Sequence, residues 1–180
     1  MIYSDELKRG SKIEKTLEQS EKTILSIIYV CQIEGKEAFE TIKKKIALSE
    51  DTINSKIDEL VKNQLVNEDR KTLTEIGRNS LRIVLAGGVF DIIHPGHIHT
   101  LNAAKGLGDV LVVVVATDNT AVKMKKRQPL HSQEQRQELV NSLTMVDLCL
   151  IGQEDNIFKT VNHVKPQIIA LGYDQVHQEK

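Results

Sequence analysis

The longest unbroken run of apolar side chains in this 180-residue chain extends from Val110 to Ala116 and contains five valines. β-Branched residues without polar alternation favour a strand buried on both faces, as in a parallel sheet covered by helices. Three further apolar runs, separated by helical patterns, are Ile83–Ala86, Leu148–Ile151 and Ile168–Leu171. This alternation predicts an α/β fold with a parallel sheet over residues 81–180.

Residues 1–80 have a different pattern, because their apolar side chains recur at helical spacing. The first predicted helix covers Glu21 to Glu34, and a second follows around residues 39–46. Ser49 is a good N-cap for a third helix. Residues 65–74 then predict a short hairpin with a polar tip. We therefore expect a small, mostly helical domain over residues 1–80, with a boundary to the α/β domain near residue 80.

The order of these helices resembles a winged helix-turn-helix module that closes with Leu73-Thr74-x-x-Gly77. The resemblance implies DNA binding through the third helix, and the alternative is a protein-contact or dimerisation module. Glu50 and Asp51 at the start of that helix would face phosphates unfavourably. The polar side chains available for DNA contact are Thr52, Asn54, Ser55 and Lys56. DNA therefore remains one predicted partner of this module, and a second copy of the chain, in a homodimer, is the other.

Charge, cysteine content and the lengths of the apolar runs indicate which compartment and which kinds of partner to expect for this chain. The 24 basic and 25 acidic residues provide no global positive field for nucleic acid. Cys31 and Cys149 each lie in an apolar run, which predicts buried thiols in a reducing compartment rather than a disulfide. The polar segment after Met1 shows no signal peptide, and no apolar run is long enough to span a bilayer. We expect a cytoplasmic protein without membrane association.

The loop after the first predicted strand reads Gly88-Val89-Phe90-Asp91, then Ile92-Ile93, then His94-Pro95-Gly96-His97. Ligands of open α/β sheets bind at this place, outside the carboxyl ends of the strands. A helix beginning near His97 would direct free N–H groups and its positive dipole end at the same spot. These features favour a nucleoside triphosphate. The alternatives are one helix-capping and one core histidine, or two metal ligands without the further ligands that a structural zinc site needs.

This loop resembles the Gly-[Thr/Val]-Phe-Asp-x-x-His-x-Gly-His motif of the cytidylyltransferase-like nucleotidyltransferases. Leu171-Gly172-Tyr173-Asp174-Gln175 and Lys126-Arg127-Gln128-Pro129 resemble archaeal FAD synthetases within that group. The resemblance implies a Rossmann-like domain that transfers AMP from ATP to FMN, giving FAD and pyrophosphate. It also implies Mg²⁺ held mainly by the triphosphate. The alternatives are a cytidylyltransferase that uses CTP and glycerol 3-phosphate or a similar phosphorylated alcohol, and a nucleotide-sensing winged-helix transcription regulator.

The same resemblance assigns roles to individual residues. His94, His97 and Lys123 are the predicted catalytic residues, and no protein ligand for a metal is predicted. The predicted nucleotide-binding residues are Gly88, Val89, Phe90, Asp91, His94, Pro95, Gly96, His97, Lys125, Arg136, Gly172, Tyr173 and Asp174. For some of them a structural alternative stays open. Lys123 and Lys125 could belong to a solvated loop or helix end, and Arg136 could be a surface arginine. Asp118, after the second strand, is interpreted as a helix N-cap.

Two departures from the family pattern affect these expectations. Val89 stands where archaeal FAD synthetases usually have threonine. The chain ends at Lys180, where the family usually continues with another helix and strand, so we expect either a truncated chain or an incomplete acceptor pocket. We also expect a fragment that starts near Ser80 to fold and to keep most of its nucleotide affinity.

Overall fold

The computed structural model describes residues 17–154 and 157–172. The order of elements along these residues is α1 (Gln19–Glu34), α2 (Ala38–Lys45), α3 (Glu50–Lys62), α4 (Glu75–Asn79), β1 (Ile83–Gly88), α5 (Pro95–Lys105), β2 (Val110–Val115), α6 (Asp118–Lys125), α7 (Gln133–Asn141), β3 (Leu148–Ile151), α8 (Ile157–Val164) and β4 (Ile168–Ala170). All four predicted strands are present, each within two residues of its predicted bounds.

The four strands form one parallel sheet in the order β3-β2-β1-β4. The apolar run of β2 lies in the interior of the sheet, and its residues are almost completely buried. One face packs against α5 and α7, where Leu101 and Val140 meet Val84 and Val113 in a common cluster. The chain leaves β1 for β2 on one side and reaches β4 on the other, which is the arrangement that opens a ligand crevice at the carboxyl edge. The predicted α/β, Rossmann-like fold is confirmed.

The other face of the sheet packs against the N-terminal helices. Buried side chains of α1, α2 and α3 form one continuous cluster with side chains of the sheet, including Ile83 and Val110. Tyr29 Oη donates a 2.8 Å hydrogen bond to the Val164 carbonyl, so α1 is also tied to the end of α8. This shared core argues against the expectation that a fragment starting near Ser80 folds alone. The domain boundary near residue 80 stays a prediction.

Local signals explain the ends of the N-terminal helices. Ser49 caps α3 as predicted, because its Oγ accepts the Thr52 N–H. Thr74 caps α4 in the same way. The predicted hairpin is reduced to a single antiparallel bridge between Val66 and Leu73. These elements follow the expected order, and the winged-helix interpretation itself stays a prediction.

Two smaller expectations concern the cysteines and the membrane. Cys31 and Cys149 are both buried and free, as predicted. Across residues 17–154 and 157–172, no helix combines the length and the apolar character needed to cross a membrane.

Candidate nucleotide-binding site

The turn after β1 is held in a strained conformation. Phe90 has φ of +52°, a left-handed conformation that bulky residues rarely adopt. A residue in such a region costs on the order of 1–3 kcal/mol and persists only where its surroundings over-determine it. The Phe90 ring is buried and lies close over Gly88, where a Cβ would come within 2.9 Å of it. A side chain at position 88 would therefore displace the Phe90 ring.

Helix α5 begins at Pro95, two residues before the expected start near His97. Proline suits the first helical position because its missing N–H is not needed there. His94 consequently takes the N-cap position, and His97 lies in the first turn. The two imidazole rings lie against each other with centroids 3.9 Å apart, and the His97 ring is 5.3 Å from that of Phe90. The prediction that both histidines meet at one helix N-terminus agrees with this arrangement.

The hydrogen bonding of the pair determines what it can donate. The backbone N–H of His94 donates to Nδ1 of His97 at 3.4 Å, so a neutral His97 ring carries its proton on Nε2. His94 is exposed and His97 is half-buried, so the alternative of a core histidine is wrong. Gly96 leaves the approach open, since a Cβ there would lie 3.0 Å from the His94 ring. Imidazole N–H groups beside a helix N-terminus are groups that can donate to an anion, and binding of a nucleotide by this pair stays a prediction.

A cleft of about 470 Å³ opens at the carboxyl edge of the sheet. Its walls come from the ends of β1, β2 and β4 and from α6 and α8, through residues such as Gly88, Thr117 and Thr160. Neither histidine lines the cleft. Gly88 links the cleft to the histidines along the chain, because it ends β1 in the cleft wall and begins the turn that leads to His94. The histidines therefore belong to the segment that leaves the cleft wall.

Lys123 and Lys125 lie in the last turn of α6, so they belong to a helix end and not to a loop. Both side chains are exposed, and no carboxylate of the described residues pairs with either one. Met124, between them, lines the cleft. Neither lysine lines the cleft itself, and the two are the neighbours of Met124 in the chain.

The Asp91 carboxylate points into the protein. It is 7% exposed, and its Oδ1 accepts the Leu130 N–H at 2.6 Å. Its Oδ2 lies 2.7 Å from Nη1 of Arg127. Burial alone would raise the pKa of this carboxyl, but the Leu130 N–H and the Arg127 guanidinium outweigh that effect and hold the pKa below its usual value. No contact in the structure tests the nucleotide-binding role predicted for Asp91, and that role stays a prediction.

Arg136 is almost completely buried, at 1% exposure, so the alternative of a surface arginine is wrong. It donates to the Val89 carbonyl at 2.6 Å, to the His131 carbonyl at 3.1 Å and to Asp118 Oδ1 at 2.7 Å. The guanidinium thus ties the turn after β1 to α6 and to the start of α7. Binding of a nucleotide by Arg136 stays a prediction.

The N-cap of α6 is Thr117, whose Oγ1 accepts the Thr120 N–H, so the interpretation of Asp118 as the cap is wrong by one residue. Asp118 is the first residue of the helix, where an acidic side chain suits the dipole, and it pairs with Arg136. Its own N–H donates to Gln133 Oε1 at 3.0 Å. The threonine in Thr117-x-x-Thr120 is the sequence signal that could have located the cap.

Three predicted nucleotide-binding residues follow β4. Gly172 is half-buried and comes two residues after β4, which pairs with β1. Its position at the carboxyl edge agrees with the prediction. Tyr173 and Asp174 lie outside the described residues.

The described residues contain no group of three or more histidine, cysteine, aspartate or glutamate side chains that could hold a metal ion. Asp91 and Asp118, the carboxylates nearest to the predicted site in the chain, are both engaged by arginines. These residues do not form a cage for a metal. They are compatible with a Mg²⁺ ion whose ligands come mainly from phosphate oxygens and water.

The side chains proposed for DNA contact on α3 are mostly engaged within the protein. Thr52 Oγ1 lies 2.8 Å from Ser49 Oγ, Asn54 Oδ1 accepts from Arg70 at 2.9 Å, and Lys56 pairs with Glu18 at 3.0 Å. DNA binding through α3 therefore gains no support and stays a prediction, as does the homodimer.

The sequence gives no sign of the role of Arg127, which lies in the segment Lys126-Arg127-Gln128-Pro129. The pairing of Arg127 with Asp91 bridges 36 positions of the chain, and no periodic pattern marks such a pair. The role of Gln133 as the acceptor of the Asp118 N–H was missed for the same reason.

Comparison with known proteins gives several relatives named FAD synthase. The chain is 55% identical to the one from Picrophilus torridus over 92 residues, which are 51% of this chain and 66% of the relative. It is 50% identical to the one from Methanosarcina barkeri, over 51% of this chain and 65% of the relative. It is also 50% identical to the one from Aciduliprofundum boonei, over 54% of this chain and 64% of the relative. The chain thus spans slightly less than two thirds of the length of these three relatives.

A solved structure and a family profile also match. The structure is described as a lipopolysaccharide core biosynthesis protein from Thermoplasma volcanium, with 47% identity over 49% of this chain and 72% of that chain, and a TM-score of 0.48. The profile of the family described as Cytidylyltransferase-like matches residues 85–179. This match covers more than half of the chain and includes the histidine pair and the cleft edge. The chain therefore belongs to the cytidylyltransferase-like family.

Proposed function

We propose that this protein is an FMN adenylyltransferase, which transfers AMP from ATP to FMN and releases pyrophosphate. The observation that carries the proposal is the close His94–His97 ring pair at the N-terminus of α5, in the segment that leaves the wall of a cleft at the carboxyl edge of the sheet. The substrates come from the relatives named FAD synthase. A cytoplasmic location belongs to the same proposal.

The reaction needs positioning and charge stabilisation and no covalent enzyme intermediate. A phosphate oxygen of FMN attacks the α-phosphorus of ATP in line, and the bond to the pyrophosphate oxygen breaks. His97 donates from Nε2 to a phosphate oxygen on which charge develops, and His94 donates from the adjacent ring. Donors held in place before the reaction stabilise the transition state more than the ground state.

The cations at the end of α6 supply the second part of the site. Lys123 and Lys125, next to Met124 in the cleft wall, neutralise the triphosphate. Mg²⁺, when bound, adds charge neutralisation on the phosphate oxygens. The cleft between these groups, with walls of β1, β2 and β4, receives the organic part of a substrate.

The test is a pyrophosphate-release assay that crosses ATP and CTP with FMN and glycerol 3-phosphate. We expect turnover only with the pair of ATP and FMN, and we expect chromatography to identify FAD as the product. Turnover with CTP and glycerol 3-phosphate would instead establish a cytidylyltransferase. Nucleotide binding without turnover of any of these substrate pairs would favour the nucleotide-sensing transcription regulator and overturn the proposal.

A further inference from the structure

One residue of the turn after β1 fastens the whole segment between α6 and α7. The Asp91 carboxylate accepts the Leu130 N–H at 2.6 Å and pairs with Arg127 at 2.7 Å. The Asp91 carbonyl oxygen lies 3.2 Å from Nδ1 of His131. Three contacts therefore join residues 127–131 to a single position, three residues before His94.

The partners differ in exposure in a way that indicates their role. The Asp91 side chain is 7% exposed, whereas that of Arg127 is 53% exposed. Arg127 therefore fills no core space. The lowered pKa of the Asp91 carboxyl keeps it charged at neutral pH, so the ion pair persists there. A buried carboxylate with an exposed arginine is an arrangement that holds a surface segment in place.

The turn itself needs such a fastening. Phe90 has a left-handed backbone with φ of +52°, and the residues on both sides of it are pinned. The Val89 carbonyl accepts from Arg136 at 2.6 Å, and Asp91 is held as described above. Strain of this kind persists where the surroundings impose it. Releasing Asp91 would let the turn relax and move the histidines that follow it.

We propose that the Asp91–Arg127 pair is a clasp that sets the position of the His94–His97 turn relative to the basic end of α6. The Asp91 carboxylate is buried and faces the Leu130 N–H and Arg127, so the pair has a positioning role and acts through the histidines and through Lys123 and Lys125. The inference rests on the proposed function for its kinetic consequences, and its structural part is independent of that function.

The variants that test the clasp are Arg127→Gln, Arg127→Lys, Asp91→Asn and the double variant Asp91→Asn with Arg127→Gln. We expect Arg127→Gln to lower kcat about tenfold with little change in the KM for ATP, because reacting groups are displaced rather than removed. Arg127→Lys recovers most of the loss. The double variant is no worse than Asp91→Asn alone, since the two residues act as one unit. Lys71→Gln, which breaks the exposed Lys71–Glu37 pair, is the control and leaves both constants unchanged.

A second measurement does not depend on FMN. Hydrogen exchange of the Leu130 amide, which donates to Asp91, accelerates in Arg127→Gln and in Asp91→Asn but not in Lys71→Gln. Unchanged exchange in both clasp variants overturns the proposal. A large rise in the KM for ATP with unchanged kcat, or losses that multiply in the double variant, also overturns it, because Arg127 would then contact the triphosphate directly. If the wild-type protein made no FAD, the proposed function would be wrong. The exchange rate of the Leu130 amide in the variants would still test the clasp.

Discussion

The N-terminal helices and the carboxyl edge of the sheet both carry many cations, but they use them differently. Around α3, Lys43 pairs with Glu50, Lys56 with Glu18, Arg70 with Asp58, and Lys71 with Glu37. At the end of α6, Lys123 and Lys125 have no acidic partner among the described residues. Residues 1–80 hold 14 basic and 15 acidic side chains, and residues 81–180 hold 10 of each. Pairing therefore separates these four N-terminal cations from Lys123 and Lys125, whereas the net charges of the two halves hardly differ.

The comparison indicates what each region contributes. Cations that are already paired offer little to a phosphate, because binding would first require breaking an ion pair. Cations without a partner beside a cleft attract an anionic ligand directly. The apolar faces of the N-terminal helices, meanwhile, join the core of the sheet. The first region is part of the folded framework, and the second carries residues that the proposed function assigns to substrate binding.

The largest effects are expected at the histidines. His94→Ala and His97→Ala should each lower kcat by about a hundredfold or more, because loss of one preorganised donor costs roughly 2.7–4 kcal/mol. Steady-state rates of FAD formation measure this. His99→Ala, an exposed residue of the same helix, should keep the wild-type rate. Wild-type rates in a folded double variant would remove the histidines from the chemistry.

A core substitution in α1 tests whether the two regions form one folding unit. Ile28 is completely buried in the shared cluster, so Ile28→Ala should destabilise the protein by about 2–5 kcal/mol. Circular dichroism and ATP binding, followed through thermal unfolding, should give the same lowered midpoint. Ile76→Ala, at a residue that is 53% exposed, is the matched control. Two separate transitions would mean that the helices and the sheet fold independently.

A pair of lysine variants compares the regions directly. Lys123→Ala should raise the KM for ATP by about tenfold, or roughly 1.4 kcal/mol, because it removes a cation beside the cleft. Lys71→Ala removes an exposed lysine that is paired with Glu37 and should leave the KM unchanged. Equal effects of the two substitutions would contradict the distinction drawn between the regions.

The smallest effect concerns the link between α1 and α8. Burial raises the pKa of Tyr29 to about 12, although Arg78 opposes this shift. The unfolded chain releases this proton near pH 10, so the contribution of Tyr29 to stability is complete below that pH and is lost as pH rises toward 12. Tyr29→Phe should lower stability at pH 7 by about 1 kcal/mol through the lost hydrogen bond.

Urea unfolding at several pH values measures this difference. The gap between wild type and Tyr29→Phe should narrow above pH 10. Burial likewise raises the pKa of Cys149 to about 12, but this residue is common to both proteins and does not affect the comparison. A gap that stays constant up to pH 12 would argue against a raised pKa of Tyr29.

Sequence alone determined the four strands, the α3 cap at Ser49 and the glycine–histidine turn. These features are local, because an unbroken apolar run, a capping residue or a short motif is complete within a few positions. Tertiary structure decided the burial of Arg136, the Asp91–Arg127 pair and the packing of α1 on the sheet. Arg136 reaches the Val89 carbonyl across 47 positions of the chain. Such partners are chosen by the folded arrangement of segments, and the spacing of residues along the chain does not encode them.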